Sequence, residues 1–306
     1  MNPIRAEDSA LLVVVGPTAS GKTELAMRLC EALGGEIVTA DSVQVYRGFD
    51  IGSGKPSAAE RERVRHHLID VVDPRETLDA ARWAELANQS IVEIRARGKV
   101  PIVCGGTFLW IRALIYGLAE APPASAELRA RHREQADQHG RAALHRELER
   151  VDPEAAARLA PNDFVRVSRA LEVFELTGVP LSRWHREHGF RQTRHPARLL
   201  GVRRDKAELD ARIEQRVQAM LAAGWIDEVR QLSNAGHADS RAMGAVGYKQ
   251  IKEALSAESF DLSALRQSIV RVTRVFARRQ RTWLRDEAVE YLDPSLDSIQ
   301  ADVGLG

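Results

Sequence analysis

The sequence predicts an α/β fold: a parallel sheet carrying a phosphate-binding loop (a P-loop), flanked by helices and interrupted by a helical insertion domain. Three observations predict it. Residues Gly16-Pro17-Thr18-Ala19-Ser20-Gly21-Lys22-Thr23 match G-x-x-x-x-G-K-[ST] directly after the apolar run 11–15, the strand–loop–helix context that this pattern requires. Short apolar runs then alternate with helical periodicity, which argues for parallel strands with ligands at their carboxyl ends. From Ala121-Pro122-Pro123 to about Pro196 no convincing strand appears. The expected division is a core of 1–120 and 197–306 with a helical insertion of 121–196.

Leu11-Leu12-Val13-Val14-Val15 reads as a buried strand. The following helix places Leu25, Leu29 and Leu33 on one face, and Gly34-Gly35 ends it. Glu36–Ala40 is a second strand, closed by Asp41-Ser42. Trp83, Ala87, Ile91 and Ile94 mark a helix that stops near Gly98. Val100–Cys104 is a third strand, and Gly105-Gly106-Thr107 turns it into a helix with Phe108, Ile111, Ile115 and Leu118 on one face. Leu199–Val202 returns to the sheet. Leu209, Ile213, Val217 and Met220 then form an apolar stripe, with Arg212 and Arg216 one turn apart beside it. Each strand meets a polar or Gly-rich turn, so the turns should converge at one sheet edge.

The chemistry follows from those turns. A Gly-rich loop lets successive N–H groups point at one anion, and the helix dipole adds positive potential. Lys22 can reach terminal phosphates, and the Thr23 hydroxyl can hold Mg²⁺. Asp41 is a general base, a Mg²⁺ ligand through water, or a simple turn cap. The Gln44 amide can pair with an adenine edge and Tyr46 can stack on a base, or both are ordinary loop residues. Thr107 can hold an anion or cap its helix. The segment Ile51–Pro56 is a weak candidate for a mobile loop. His66, His67, His185 and His188 find no Cys or carboxylate set that completes a tetrahedral metal site, and read as structural.

Composition narrows the class. The chain has 306 residues, 44% hydrophobic and 28% charged, with a net charge of +1, as in a globular protein. Two cysteines, Cys30 and Cys104, make no disulfide framework. With no apolar stretch of spanning length and no apolar leader around Arg5, Glu7 and Asp8, a cytoplasmic, non-membrane protein is expected. The charge is unevenly spread. Residues 241–285 carry ten Lys/Arg against three acids (Glu253, Glu258, Asp261), a net +7. Arg271, Arg274, Arg278, Arg281 and Arg285 recur at helical spacing, a pattern suited to a phosphate-rich polymer.

Taken together, the phosphate loop, Asp41-Ser42-Val43-Gln44-Val45-Tyr46-Arg47-Gly48 with Asp50-Ile51-Gly52, His66-His67-Leu68-Ile69-Asp70, Gly105-Gly106-Thr107, Arg169-Ala170-Leu171-Glu172, Val246-Gly247-Tyr248 and Arg278–Arg285 resemble the tRNA dimethylallyltransferase family. The resemblance runs from about 11 to 286. It implies an enzyme that transfers a dimethylallyl group from dimethylallyl diphosphate to N6 of the adenine 3′-adjacent to the anticodon, giving N6-isopentenyladenosine and diphosphate. It implies that Gly16–Thr23 bind the diphosphate with Mg²⁺ on Thr23, and that Arg216 also binds it. Asp41 would take the N6 proton; Thr18, Lys22, Thr107 and Arg216 complete the implied catalytic set. It also implies tRNA contacts from Asp41, Ser42, Val43, Gln44, Thr107, Arg129, Val165, Arg166, Val167, Ser168, Arg169, Gly244, Ala245, Val246, Gly247, Tyr248 and Lys249. On the last helix the implied contacts are Arg278, Arg279, Gln280, Arg281, Thr282, Trp283, Leu284 and Arg285, and the arginine stripe adds Arg274. The implied partner is the tRNA anticodon stem-loop, gripped in part by the insertion, and a monomer is expected. Three positions depart from the usual pattern: Trp110, where Tyr is common and stacking would persist, Gly244 and Val165. The P-loop is shared with ATP-binding proteins, so the rival reading is a small-molecule kinase with Asp41 at the phosphoryl acceptor.

Overall fold

The computed structural model describes residues 10–189, 192–257 and 259–292. The stretch holding Arg5, Glu7 and Asp8, and Glu258 of the basic segment, lie outside the described residues. The chain forms two compact units, Met1–Ile115 with Arg194–Gly306, and Tyr116–Thr193.

In the first unit, strands β1 (Leu11–Val15), β2 (Gly35–Ala40), β3 (His66–His67), β4 (Val100–Gly105), β5 (Ala197–Val202) and β6 (Val289–Leu292) form one sheet in the order β3-β2-β4-β1-β5-β6. Every neighbouring pair is parallel. In chain order α1 (Lys22–Leu33), α2 (Ala58–Arg63), α3 (Ala80–Ala96) and α4 (Phe108–Tyr116) follow β1, β2, β3 and β4 in turn. The second unit is helical: α5 (Ala126–His139), α6 (Arg141–Val151), α7 (Pro153–Arg158), α8 (Phe164–Thr177) and α9 (Leu181–His188). The first unit then resumes with α10 (Lys206–Ala222), α11 (Trp225–Leu232), α12 (Tyr248–Leu255) and α13 (Leu262–Leu284).

The helix α1 shows why sequence dictates element. It starts at Gly21 and stops at Gly34, both left-handed, and buries Leu25, Leu29 and Cys30. These pack with Leu12, Val14, Ile37, Ile102 and Leu200 of the sheet. Each fully buried aliphatic side chain contributes about 1.5–3 kcal/mol. On α3, Trp83, Ile91 and Ile94 are buried, and Trp83 Nε1 donates to the Thr39 carbonyl at 3.1 Å. With both faces covered, β1 is buried throughout.

Two strands escaped the sequence reading, β3 and β6. The first is only the two histidines, paired to Ile37 and Val38; His67 Nε2 lies 2.6 Å from Glu36 Oε2. The second pairs with β5 at the sheet edge.

The register brings the turns together. Gly105 is the cross-strand partner of both Val15 and Ala40. A Cβ at Gly105 would lie 2.0 Å from the Ala40 carbonyl oxygen, so this junction takes no side chain. The turns after β1, β2 and β4 therefore meet at one edge.

Candidate active site

The phosphate loop is shaped by its neighbours. Ala19 (φ 65°) and Gly21 (φ 95°) are left-handed. From behind, Arg212 Nε donates to the Ala19 carbonyl at 2.8 Å and Arg204 Nε to the Ser20 carbonyl at 3.2 Å. No side chain caps the N-terminus of α1, so its first-turn N–H groups are available to an anion. Lys22 is half-buried. Burial pushes its ammonium below the usual lysine range; nearby Arg216 adds to this, and Cys104 and Asp41 oppose it. Burial likewise lowers the Arg216 guanidinium, with Asp41 opposing. Two desolvated cations so close together favour a polyanion between them.

Asp41 does cap its turn: Oδ1 accepts from Val43 N at 2.9 Å and Gln44 N at 3.2 Å. Its other oxygen, Oδ2, has no hydrogen-bond donor among the described residues. The Thr107 hydroxyl accepts from Ser42 N at 3.1 Å, and Thr107 N donates to the Ala40 carbonyl at 3.2 Å. This ties the β4 turn to the Asp41 turn. Thr18, Lys22, Thr23, Asp41, Thr107 and Arg216 all line one cavity of about 320 Å³. Its apolar wall includes Ile213, Val217, Met220 and Trp225.

The Ile51–Pro56 segment is pinned rather than loose. Glu228 accepts from the N–H groups of Asp50, Ile51 and Gly52 at 3.0, 2.6 and 3.2 Å, and from the Tyr248 hydroxyl at 2.6 Å. Gln44 Nε2 donates to the Ser53 and Gly54 carbonyls at 3.1 and 3.0 Å. The Gln44 donor expected for an adenine edge is thus spent inside the protein. Gly54 (φ +62°) leaves room for Arg216: a Cβ there would lie 2.1 Å from Nη2. Glu228 had no signal in the sequence beyond its place in an amphipathic helix.

Burial separates the residues expected at the RNA into those whose side chains are enclosed and those that are exposed. Tyr46 and Tyr248 are core residues; the Tyr46 hydroxyl accepts from Leu78 N, and Tyr248 faces Glu228. Trp110 is buried and stacks on Trp83 with centroids 5.2 Å apart, so it is not free to stack on a base. In α8, Val167 and Ser168 point inward, Ser168 against His132 at 2.9 Å. Leu284 is core as well, and Gln280 is 6% exposed. Ala245 and Val246 line the cavity, Gly247 packs on Trp225, and Gly244 and Lys249 are exposed.

In the helical unit, Val165 and Arg166 are exposed. Arg129 and Arg169 both bind the buried Glu172 carboxylate, at 3.1 and 2.6 Å, and Arg169 also donates to the Pro122 carbonyl. On α13, Arg278, Arg279, Arg281, Thr282 and Arg285 are exposed. Arg274 instead pairs with Glu214 at 3.3 Å and Asp210 at 3.6 Å of α10. Trp283 stacks on Phe108 with centroids 4.1 Å apart. Arg203, Arg204, Arg278, Arg281 and Arg285 line a second cavity of about 710 Å³ behind Gly16 and Pro17.

The IPP transferase family model matches residues 44–287. The chain belongs to the IPP transferase family. Within that family it is 64% identical to a tRNA dimethylallyltransferase of Sorangium cellulosum, covering 92% of this chain and 90% of that one. It is 49% identical to one of Geobacter sulfurreducens, covering 94% of each. Among solved structures it resembles a tRNA isopentenylpyrophosphate transferase of Bacillus halodurans, with TM-score 0.68, 36% identity and coverage of 97% and 94%. A eukaryotic dimethylallyltransferase acting on tRNA superposes with TM-score 0.79 at 25% identity, over 96% of this chain and 77% of that one.

Among the described residues no group of three or more His, Cys, Asp or Glu could hold a metal ion. An all-protein cage is not what Mg²⁺ needs beside a diphosphate, because it keeps waters and takes substrate oxygens. The Thr23 hydroxyl and Asp41 line the cavity as hard oxygen donors, and suit that mode.

Proposed function

We propose that this IPP transferase moves the dimethylallyl group of dimethylallyl diphosphate onto N6 of the adenine 3′-adjacent to the anticodon of a tRNA, releasing diphosphate. The observation that carries it is the shared cavity. Asp41, one of whose oxygens has no donor among the described residues, two desolvated cations and an apolar wall line one volume.

The bond from the allylic carbon to the diphosphate oxygen breaks as the N6–carbon bond forms. The electron pair leaves with the diphosphate, where Lys22, Arg216 and the first-turn N–H groups of α1 stabilise it. Thr18 orients the phosphates. Mg²⁺, held by Thr23, would neutralise part of the leaving charge. Ile213, Val217, Met220 and Trp225 keep water from the developing allylic cation. Asp41 Oδ2 takes the N6 proton, while Oδ1 stays fixed by Val43 and Gln44. The adenine leaves its stack to enter, at a cost of a few kcal/mol, roughly. Exposed arginines of α13 and the helical insertion 121–196 offset this by gripping the anticodon stem-loop.

The kinase reading shares the loop but gives no role to the apolar wall, and the family relation disfavours it. No helix among the described residues is long and apolar enough to cross a membrane; a cytoplasmic monomer is the proposed working form. Mass spectrometry of unmodified tRNA incubated with the protein and dimethylallyl diphosphate tests the reading. The RNA should gain one isopentenyl group. Asp41→Asn should lower kcat by ~10²–10⁴ with diphosphate affinity held within a few fold. Phosphoryl transfer from ATP with no mass gain on the tRNA would overturn it.

A further inference from the structure

Gln280 sits where an RNA contact is least expected. Its flanking residues Arg278, Arg279 and Arg281 are exposed, yet its own side chain is buried at 6% exposure. The amide is engaged at both ends. Oε1 accepts from Thr18 N, in the phosphate loop, at 2.8 Å. Nε2 donates to the Gly106 carbonyl, in the turn after β4, at 3.0 Å. Gly106 is cut to receive it: a Cβ there would lie 2.4 Å from Nε2. The next residue, Thr107, holds Ser42 N and so the Asp41 turn. One buried amide therefore joins α13 to the anion loop directly and to the carboxylate turn through one more residue.

A glutamine fits this place for a chemical reason. It needs one acceptor toward an N–H and one donor toward a C=O at a fixed spacing, which a primary amide supplies and no charged side chain does at neutral pH. Without it, the N–H of half-buried Thr18 and the carbonyl of half-buried Gly106 lose their partners. Reaction geometry is also sensitive: misplacement of about 1 Å can cost ~10²-fold in rate.

We propose that Gln280 is a positioning residue that fixes the register between the RNA-gripping helix and the two turns holding the diphosphate and Asp41. It is not a contact to RNA. The inference rests on the reading above, in which the loop holds the diphosphate and α13 the RNA.

The test compares wild type, Gln280→Met and Gln280→Glu. Binding of unmodified tRNA and of dimethylallyl diphosphate is measured separately, alongside single-turnover transfer from about pH 5.5 to 8.5, a range above the ordinary carboxylate value, into which burial would raise a carboxyl at this position. For Gln280→Met the expected result is a ~10–100-fold lower transfer rate, with both dissociation constants within about threefold of wild type. Gln280→Glu reproduces the amide only when protonated, since the neutral acid both donates and accepts. Its rate relative to wild type should therefore rise by about tenfold or more as the pH falls across that range, with circular dichroism at each pH showing an unchanged folded fraction, because a buried carboxylate also makes stability pH-dependent. The proposal is overturned if Gln280→Met keeps the wild-type rate, or if tRNA affinity alone falls. It is also overturned if the relative rate of Gln280→Glu is flat with pH. A wild-type protein that binds no dimethylallyl diphosphate would defeat the prenyl-transfer reading itself, a different outcome from an active wild type with indifferent variants.

Discussion

At the scale of single residues, Lys22 shows function working against stability. Its ammonium is desolvated beside Arg216, so its pKa in the folded chain lies below the ordinary 10.5. The sign follows from proton linkage. Below the folded pKa the protonated lysine costs the folded state; the cost fades as pH rises through that pKa toward 10.5, where the unfolded chain also deprotonates. Lys22→Met should therefore be more stable than wild type at neutral pH, by about 1–2 °C in Tm for ~1 kcal/mol in a chain of this size. The advantage should shrink as the pH is raised, and diphosphate binding should be lost throughout. Thermal scans at a series of pH values, with and without inorganic diphosphate, check this; a variant melting below wild type at neutral pH would refute it. Asp41 carries a second lesson at this scale. The sequence left it as base, metal ligand or turn cap, and the structure shows the cap using only one oxygen. A capping role and a chemical role are compatible because a carboxylate has two oxygens.

At the scale of elements, α13 divides its arginines by what faces them. Read along the chain, no acid lies between Arg266 and Arg285, and all five arginines of the stripe look equivalent. In space, Asp210 and Glu214 of α10 neutralise Arg274. The double replacement of Arg278 and Arg281 by Ala should reduce the slope of log K against log salt for tRNA binding by about 2. Arg274→Ala should change it by less than about 0.5, on the same principle that only phosphate-paired charges release counterions. Fluorescence anisotropy across a salt series measures both, and equal slopes for the two variants would sink the division. The loop over 50–54 gives the second case. One carboxylate, Glu228, satisfies three backbone N–H groups and the Tyr248 hydroxyl. Glu228→Ala leaves these donors without it, at ~1–3 kcal/mol for each one left buried and unpaired. Denaturant unfolding should show a loss of about 3 kcal/mol or more, and the KM for dimethylallyl diphosphate should rise because Gly54 no longer rests against Arg216. A loss under about 1 kcal/mol, the worth of one ordinary hydrogen bond, would mean that water replaces the carboxylate. The sequence made the phosphate loop, Asp41 and the strand ends legible because each is a local pattern. Glu228, Gln280 and the pairing of Arg274 were not legible, because the backbone partners of Glu228 lie 176–178 positions away, those of Gln280 174 and 262, and those of Arg274 60 and 64. Nor does the charge pattern of α13 show that inward residues such as Gln280 and Leu284 alternate with exposed ones.

At the scale of the whole molecule, the chain leaves the sheet-bearing unit after Ile115 and returns at Arg194. The two ends meet. The Ile115 carbonyl accepts from Arg194 N at 2.7 Å and from His195 N at 3.2 Å. The helical unit has a core of its own, built on Leu144, Leu148, Val167, Ala170 and Leu171, and the buried Glu172 network stays within it. Closing a gap between adjacent ends costs little chain entropy. Replacing residues 116–193 by a short Gly/Ser linker should therefore leave a unit that unfolds in one cooperative transition. Because the cavity lining comes wholly from the retained unit, dimethylallyl diphosphate should bind within about threefold of the full chain, a difference under ~1 kcal/mol. What should be lost is grip on the anticodon stem-loop. The shortened chain should transfer to tRNA with kcat/KM lower by about tenfold or more, equivalent to at least ~1.4 kcal/mol of lost transition-state binding. Saturating RNA should recover most of kcat. If diphosphate affinity collapses instead, the helical unit is part of the chemical site and not only of the RNA grip. If transfer is undiminished, the basic face of α13 alone selects the RNA.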